Sequence, residues 1–375
     1  MKIGIPTETR FGETRLAATP ETVKKLLAQQ HEVYVQKGAG LSSAIPDSAF
    51  EAQGAHLVEQ VAQLLACCDM VLKVRAPSDD ELPYYRAGQV VVGMLNPFDS
   101  ASLQKMTQAG LTAFALEAAP RTTRAQSMDV LSSQANIAGY KAVMLAANEY
   151  QRFMPMLMTA AGTVKAARVL ILGVGVAGLQ AIATAKRLGA VIEASDVRPA
   201  TKEQVESLGA KFVDVPFETD EERDIAQGVG GYARPMPESW MKRQAAAVHE
   251  KALKSDIVIT TALIPGRKAP VLLHEDTVRG MKPGSVVVDL AVEQGGNCPL
   301  SKLDEVVDVN GVKIVGYANL ATRVAADASA LYARNVLDFL KLLFDKDGTF
   351  KIDLEDDIVS ACLMCTDGQL KRNNA

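Results

Sequence analysis

A chain of 375 residues fits two domains at ~150 residues each, and with 48% hydrophobic and 22% charged residues it carries apolar material for two cores. Its 27 glycines and 16 prolines exclude collagen-like and low-complexity architectures, and a formal net charge of −4 supplies no basic field for a nucleic acid partner. Five cysteines (Cys67, Cys68, Cys298, Cys362 and Cys365) are too few to staple a chain this long, so a reduced, cytoplasmic protein is expected. The opening MKIGIPTETR has no apolar stretch for a signal peptide. The uncharged run 169–185 is too short and too rich in glycine to span a membrane.

The first 117 residues alternate short β-rich runs with helical ones. Strands are predicted at 2–5, 32–35, 70–74, 90–94 and 112–116, with helices at 21–29, 47–53, 61–66 and 101–109 between them. Thr19 and Pro20 supply an N-cap and a first-position proline, while Gly54, Gly88 and Gly110 stand just past predicted helix ends. Residues 119–128, APRTTRAQSM, are polar and without period, and a long helix follows at 129–153. A second alternating region has strands at 168–172, 191–195, 211–215, 256–260, 285–290 and 313–316; a second long helix, 325–343, leads to the polar DKDGTF. Such alternation predicts βαβ units and mostly parallel sheets. The expected organisation is two α/β domains, one of 1–128 plus 325–375 and one of 129–324, connected by the two long helices.

Residues 170–178, LILGVGVAG, run an apolar strand into G-x-G-x-x-G. Gly173, Gly175 and Gly178 allow a tight turn, close backbone approach to a pyrophosphate and close packing of helix on strand, and the helix start at 179–188 offers N–H groups to phosphates. The next strand ends in Asp196, an acid placed to accept hydrogen bonds from both adenosine-ribose hydroxyls and to repel a 2′-phosphate, so NAD is expected rather than NADP. Arg198 is read as solvated or facing the pyrophosphate. The stretch 216–240 is acidic, then glycine-rich, then punctuated by proline, with no convincing period. It reads as a lid hinged at Gly228, Gly230 and Gly231 with Tyr232 as the ring to bury, against the plainer reading of a surface insertion. Cys362 and Cys365 have C-x-x-C spacing but no second pair, so they read as packing residues, and His31, His56, His249 and His274 show no ligand spacing. Arg121 and Arg124 precede the long helix; their composition leaves open whether they border a ligand cleft or a solvated linker.

Residues 121–140, RTTRAQSMDVLSSQANIAGY, resemble the signature loop of the NAD(H)-binding component of proton-translocating nicotinamide nucleotide transhydrogenase. So do 158–164, MTAAGTV; 173–189, GVGVAGLQAIATAKRLG; 200–209, ATKEQVESLG; 260–266, TTALIPG; and 289–297, DLAVEQGGN. The resemblance covers essentially the whole chain. It implies an α/β fold of two Rossmann-like, doubly wound parallel-sheet domains joined by long helices, with a cleft between them that binds NAD(H), in a homodimer. It implies hydride transfer to NADP(H) held on a partner component, coupled to proton translocation through an integral membrane subunit, and attachment to the cytoplasmic face of the inner membrane through those partners. Carried over residue by residue, Arg121, Gln126 and Asp129 are the residues expected to serve the hydride transfer, with Ser127, Met128 and Ser132 completing the loop around the nicotinamide and its ribose. Gly173, Gly175, Val176, Ala177 and Gly178 match the pyrophosphate turn, and Asp196, Val197 and Arg198 the adenosine ribose. Gly231, Tyr232, Gln244, Ala262 and Leu263 match further cofactor contacts, with Tyr232 on the family's mobile loop.

Alanine dehydrogenase shares this ancestry and is the rival reading. That family holds its keto acid with an Arg and a Lys, matched here by Arg15 and Lys73, and also needs a His and an Asp. At those positions this chain reads Met94-Leu95-Asn96 and Glu293, and Asn has no proton to exchange near neutral pH. Direct hydride transfer between two nicotinamides needs alignment rather than a proton carrier, which the departure fits. A third reading, a non-catalytic NAD-sensing module, differs in showing no hydride transfer with any NADP-binding partner.

Overall fold

Strand and helix alternate along much of both halves of the chain, most of the short apolar runs being followed by a helix. The computed structural model describes residues 1–227, 234–345 and 348–372, and it divides into two compact units. Unit 1 is Met1–Gln134 with Ala321–Ala375, and unit 2 is Ala135–Leu320.

The N-terminal segment of unit 1 supplies β1 (Lys2–Ile5), α1 (Pro20–Ala28), β2 (Glu32–Gln36), α2 (Asp47–Glu51), β3 (His56–Val58), α3 (Val61–Cys67), β4 (Met70–Arg75), β5 (Val90–Met94), α4 (Ser100–Gln108) and β6 (Thr112–Ala115). The strands pair in parallel in the order β3-β2-β1-β4-β5-β6. Every residue of β5 is buried, as expected of a parallel strand covered on both faces. Its Val90 and Val92 enter a cluster with Val23, Leu26 and Tyr332, while Val91 enters another with Leu64, Leu103 and Met106. Alternation along one strand thus builds two cores.

Helix α5 (Val130–Glu149) carries the chain into unit 2. There follow a hairpin of β7 (Leu157–Thr159) and β8 (Gly162–Val164), then β9 (Arg168–Leu172), α6 (Val176–Arg187), β10 (Val191–Ser195), α7 (Thr201–Ser207), β11 (Lys211–Phe212), α8 (Asp220–Ala226), α9 (Glu238–Lys254), β12 (Ile257–Thr260), α10 (Glu275–Gly280), β13 (Val286–Asp289), β14 (Val306–Val309) and β15 (Val312–Val315). The main sheet runs β11-β10-β9-β12-β13-β15-β14, parallel except for β14. Through β15 this is the order 3-2-1-4-5-6, the doubly wound order of dinucleotide-binding folds. The six parallel strands of unit 1 repeat it.

The chain then returns to unit 1 as α11 (Ala325–Leu340), α12 (Asp357–Cys362), β16 (Leu363–Thr366) and β17 (Gln369–Leu370). β16 joins β6 antiparallel and β17 joins β16, completing eight strands. All five cysteines are free, and Cys362 and Cys365 are buried in packing positions. Among the described residues no helix is long and apolar enough to cross a membrane.

The stretch 216–240 differs from its reading as one aperiodic loop. It contains α8, whose first turn is acidic and whose N-cap is Thr219, the hydroxyl accepting the Glu222 N–H. Capping and charge thus nucleate a helix where hydrophobic period is weak. The start of α9, Glu238–Trp240, also falls in that stretch, with Trp240 buried beside Phe217. Gly228, Gly230, Gly231 and Tyr232 lie outside the described residues.

Gly139 within α5 is where the helix meets the start of α6: a Cβ there would stand 2.1 Å from the Ala177 carbonyl oxygen. Gly139→Ala gains ~1 kcal/mol of helix propensity but forces backbone apart at a cost of about 1–3 kcal/mol. The variant should therefore be less stable. A urea melt in which it matches or exceeds the parent would show that the two helices do not meet this closely.

Candidate dinucleotide site

The site begins where β9 runs out. Gly173 has φ +94°, and a Cβ on it would lie 2.9 Å from Thr261 Oγ1 and 3.0 Å from Ala262 N. Gly178 is tighter still, its Cβ position 2.0 Å from the Gly173 carbonyl oxygen. These two glycines pack strand, turn and helix into contact. Gly175 differs: a Cβ there meets nothing within 4 Å, so its surface faces open space at the N-cap of α6. The N–H groups of Val176, Ala177 and Gly178 open that helix without intrahelical partners, which is an anion seat by geometry and dipole.

Asp196 follows β10 and lies beside this turn. Its Oδ2 accepts the Val174 N–H at 2.7 Å and Arg198 Nη2 at 2.8 Å; its Oδ1 accepts the Arg198 N–H and Arg198 Nε, both at 2.9 Å. Val197 bridges the two residues. On the other side of β9, the Thr261 hydroxyl donates to the Gly173 carbonyl at 2.8 Å. The Ala262 N–H donates to Asn297 Oδ1 at 3.0 Å, and Asn297 Nδ2 donates to the carbonyls of Ala262 and Pro270. Asn297 is held in turn by the fully buried Asp289, which accepts the N–H groups of Ala291, Asn297 and Cys298 and the hydroxyls of Thr260 and Ser301. Leu263 emerges from this braced segment exposed, and Gln244 is buried on the face of α9 that also buries Val248 and Ala252. The bracing by Thr261, Asp289 and Asn297 was not assigned from sequence. Its one legible sign is an acid closing the apolar run of β13.

The signature loop belongs to unit 1. Gln126, Ser127 and Met128 form a single 3-10 turn, with Met128 and Ala125 buried in the core and Gln126 and Ser127 exposed. Asn335 of α11 donates to the Ser127 carbonyl at 2.7 Å, and Arg124 pairs with Asp356 and Asp357. Arg124 is thereby a tether. Asp129 accepts the Ser132 N–H at 2.9 Å and the Ser132 hydroxyl at 2.5 Å, so it starts α5 as well as standing in the loop. Arg121 is exposed in the same loop.

Unit 1 has its own switch point, between β1 and β4, and ion pairs fill it. Arg15 donates through Nε and Nη2 to the two oxygens of Glu13 at 2.7 and 2.6 Å and through Nη1 to Gln134 at 2.8 Å. Arg75 adds a second cation on Glu13. Burial pushes the Glu13 carboxyl up, but Arg15 and Arg75 outweigh it and hold it at about 2. Lys73, fully buried, lies 2.7 Å from Glu81 and 3.6 Å from Glu8, and burial raises Glu8 against the pull of Lys73. Asn96 stands after β5 at φ +55°, its N–H and that of Leu95 held by Glu117, whose carboxyl burial pushes up to about 7. Glu293 is exposed in a short turn of unit 2.

A doubly wound sheet with a glycine turn at its switch point and an acid after the second strand defines a dinucleotide-binding α/β protein. Models of the alanine dehydrogenase/PNT N-terminal and C-terminal domains match residues 4–138 and 142–373, and the chain belongs to that family. It is 52% identical over 377 residues to the first part of the NAD(P) transhydrogenase subunit alpha of Rhodospirillum rubrum, covering 99% of this chain and 97% of that one. The crystal structure of a transhydrogenase from Sinorhizobium meliloti superposes with a TM-score of 0.88 at 48% identity, over 99% of this chain and 100% of that one. The alanine dehydrogenase of Halomonas elongata is more distant, 30% identical over 378 residues, 99% of this chain and 94% of that one. These relationships support NAD(H) binding and a role among transhydrogenase subunits.

Glu13→Gln leaves the buried Arg15 without its anion and should lose about 3 kcal/mol of stability at pH 7. Because the folded pKa of Glu13 lies below its unfolded value, the parent's advantage is present above pH ~4.5 and shrinks as pH falls toward 2. Urea midpoints of parent and variant at pH 7 and pH 3.5 check this. A gap that does not narrow would assign the loss to packing alone.

Proposed function

We propose that this chain is the NAD(H)-binding subunit of a proton-translocating NAD(P) transhydrogenase, passing hydride directly from NADH to NADP+ on a partner component. The observation that carries the reading is the contrast between the two switch points. In unit 2 the turn at Gly175 faces open space under a helix N-terminus, which fits a pyrophosphate. In unit 1 the Arg15 fork and the Lys73 ammonium, which in alanine dehydrogenases hold a keto acid, are taken by the chain's own Glu13 and Glu81. With Asn96 in place of a titrating His, amino-acid oxidation has neither its substrate anchor nor its proton carrier.

The bound dinucleotide would supply the hydride donor; the protein's share is to seat and align it. Gly173, Gly175 and Gly178 with the first N–H groups of α6 hold the diphosphate, and Asp196 with Val197 and Arg198 meets the adenosine ribose. Arg121, Gln126, Asp129 and Ser132, with Ser127 and Met128, hold the nicotinamide and its ribose. Ala262, Leu263 and Gln244 complete the contacts, along with Gly231 and Tyr232. No protein acid or base is required, so the catalytic task is orientation. The partners are a second copy of the chain, an NADP(H)-binding component and an integral membrane subunit that couples transfer to proton movement and holds the assembly at the cytoplasmic face of the inner membrane. The exposed apolar residues Phe153, Met156 and Met158 around the β7–β8 hairpin support self-association.

Two measurements test this. Fluorescence titration of the isolated chain should show NADH bound at least tenfold more tightly than NADPH, since Asp196 repels a 2′-phosphate; equal affinities would remove Asp196 from the ribose position. Mixed with a soluble NADP-binding component, the chain should catalyse transhydrogenation while neither oxidising alanine nor reducing pyruvate. Gln126→Asn should slow transfer tenfold or more, roughly 1.4 kcal/mol in barrier, with NADH affinity changed far less. Alanine-dependent NADH formation would favour the dehydrogenase, and no transfer with any partner a sensing module.

A further inference from the structure

The paired register of β10 with β9 ends at Ser195, so Asp196, Val197 and Arg198 leave the sheet at its carboxyl edge. Asp196 is aimed there by backbone: Oδ2 accepts the Val174 N–H at 2.7 Å and Oδ1 the Arg198 N–H at 2.9 Å. The first donor belongs to the glycine turn, which Gly173 and Gly178 hold tight. The second is the N–H of the peptide that joins Val197 to Arg198. Where Val197 sits therefore decides where that donor stands.

Val197 is held from the side. It packs against a small apolar cluster of Ala226, Met236 and Trp240, with Phe217 also against it. The cluster is separate from the two that cover the main sheet of unit 2. Its parts come from α8, from the start of α9 and from the chain just after β11 and before α9, so one large side chain supplies most of its volume. That side chain is Trp240, fully buried, its ring stacked on Phe217 with centroids 6.0 Å apart and planes 13° apart. The indole N–H is buried with no acceptor, which works against folding. The ring is in place for its bulk, and bulk is what bears on Val197.

We propose that Trp240 is a positioning residue for the adenosine ribose: by seating Val197 it fixes the backbone donor that aims the Asp196 carboxylate. This rests on the reading of unit 2 as an NAD(H) site and adds a residue that acts on the cofactor through the chain alone. Cutting the indole back frees Val197 to shift, and the Arg198 N–H shifts with it. A ribose hydroxyl on a carboxylate is a charge-assisted hydrogen bond, and losing one weakens binding about tenfold. The loss is confined to ligands that carry the adenosine ribose. A general loosening of the fold would spare no ligand.

Three ligands read this in the full chain: NADH, adenosine measured by displacement of NADH, and reduced nicotinamide mononucleotide, which lacks adenosine. Trp240→Ala should bind NADH and adenosine about tenfold more weakly and the mononucleotide as the parent does. Trp240→Phe, which keeps a ring against Phe217 and removes the unpaired N–H, should restore adenosine binding. Val197→Ala should reproduce the loss, and the double variant should lose no more than either single one, because both act on one contact. Trp240→Leu carries the test where the alanine variant is poorly folded. Adenosine bound equally by parent and truncated variant, a parallel loss of adenosine and mononucleotide, or losses that add in the double variant each overturn the proposal. A parent chain that binds no NADH overturns instead the assignment of the site itself.

Discussion

Between Gly178 and the carbonyl of Gly173 there is no room for a methyl group, and the rest of unit 2's site is arranged around that closeness. A Cβ there would sit 2.0 Å from the oxygen. The contact brings the start of α6 onto the end of β9, so the helix N-terminus lies directly above the strand edge. Thr261 and Ala262 close the other side of Gly173, and Asp196 takes the Val174 N–H from the side of β10. The turn is thereby clamped by both neighbouring strands, while Gly175 alone is left facing open space. Rigidity at two glycines and openness at the third are what an anion seat needs.

The braces behind the turn are polar and buried. Asp289 satisfies five donors in one fully buried carboxylate, and Asn297 passes that order to Ala262. A carboxyl group out of water is stable only when its acceptor sites are filled, and here the chain fills them with its own N–H groups and hydroxyls. The same rule governs unit 1. Arg15 and Lys73 are buried cations, and Glu13, Glu8 and Glu81 neutralise them. Two units wound in the same strand order thus differ in what stands at the switch point. One presents backbone to the outside, and the other is closed by internal charge.

Much of this was legible in the residues. LILGVGVAG placed strand, turn and helix, and Asp196 marked the end of the next strand. The runs that form β4, β5, β9, β12 and β13 were legible as strands, and their alternation with helices as mostly parallel sheets. The misses were short or weakly patterned. β3 and β17 have three and two residues, too few for a period to show. In α8, three acids and a threonine cap make the helix, and none of them contributes to a hydrophobic stripe. The predicted helix at 129–153 stops at Glu149, and the chain beyond turns into a hairpin whose exposed strands carry no buried face.

The sequence by itself determined the class of fold, since alternation of apolar strands and helices leaves few ways to bury both faces of a sheet, and it determined the position of the glycine turn, since only glycine fits there. It could not show which groups pair. That Glu13 takes both prongs of Arg15, that Arg198 closes on Asp196, and that Asp289 holds Asn297 behind Ala262 are facts of distance. Hydrogen bonds and ion pairs act over about 3 Å; near neighbours reach each other only where the local backbone turns them together, and Thr260 with Asp289 and Ala262 with Asn297, 29 and 35 residues apart, only once the strands have paired. Composition supplied the charges, and tertiary structure decided which of them remained available to a ligand.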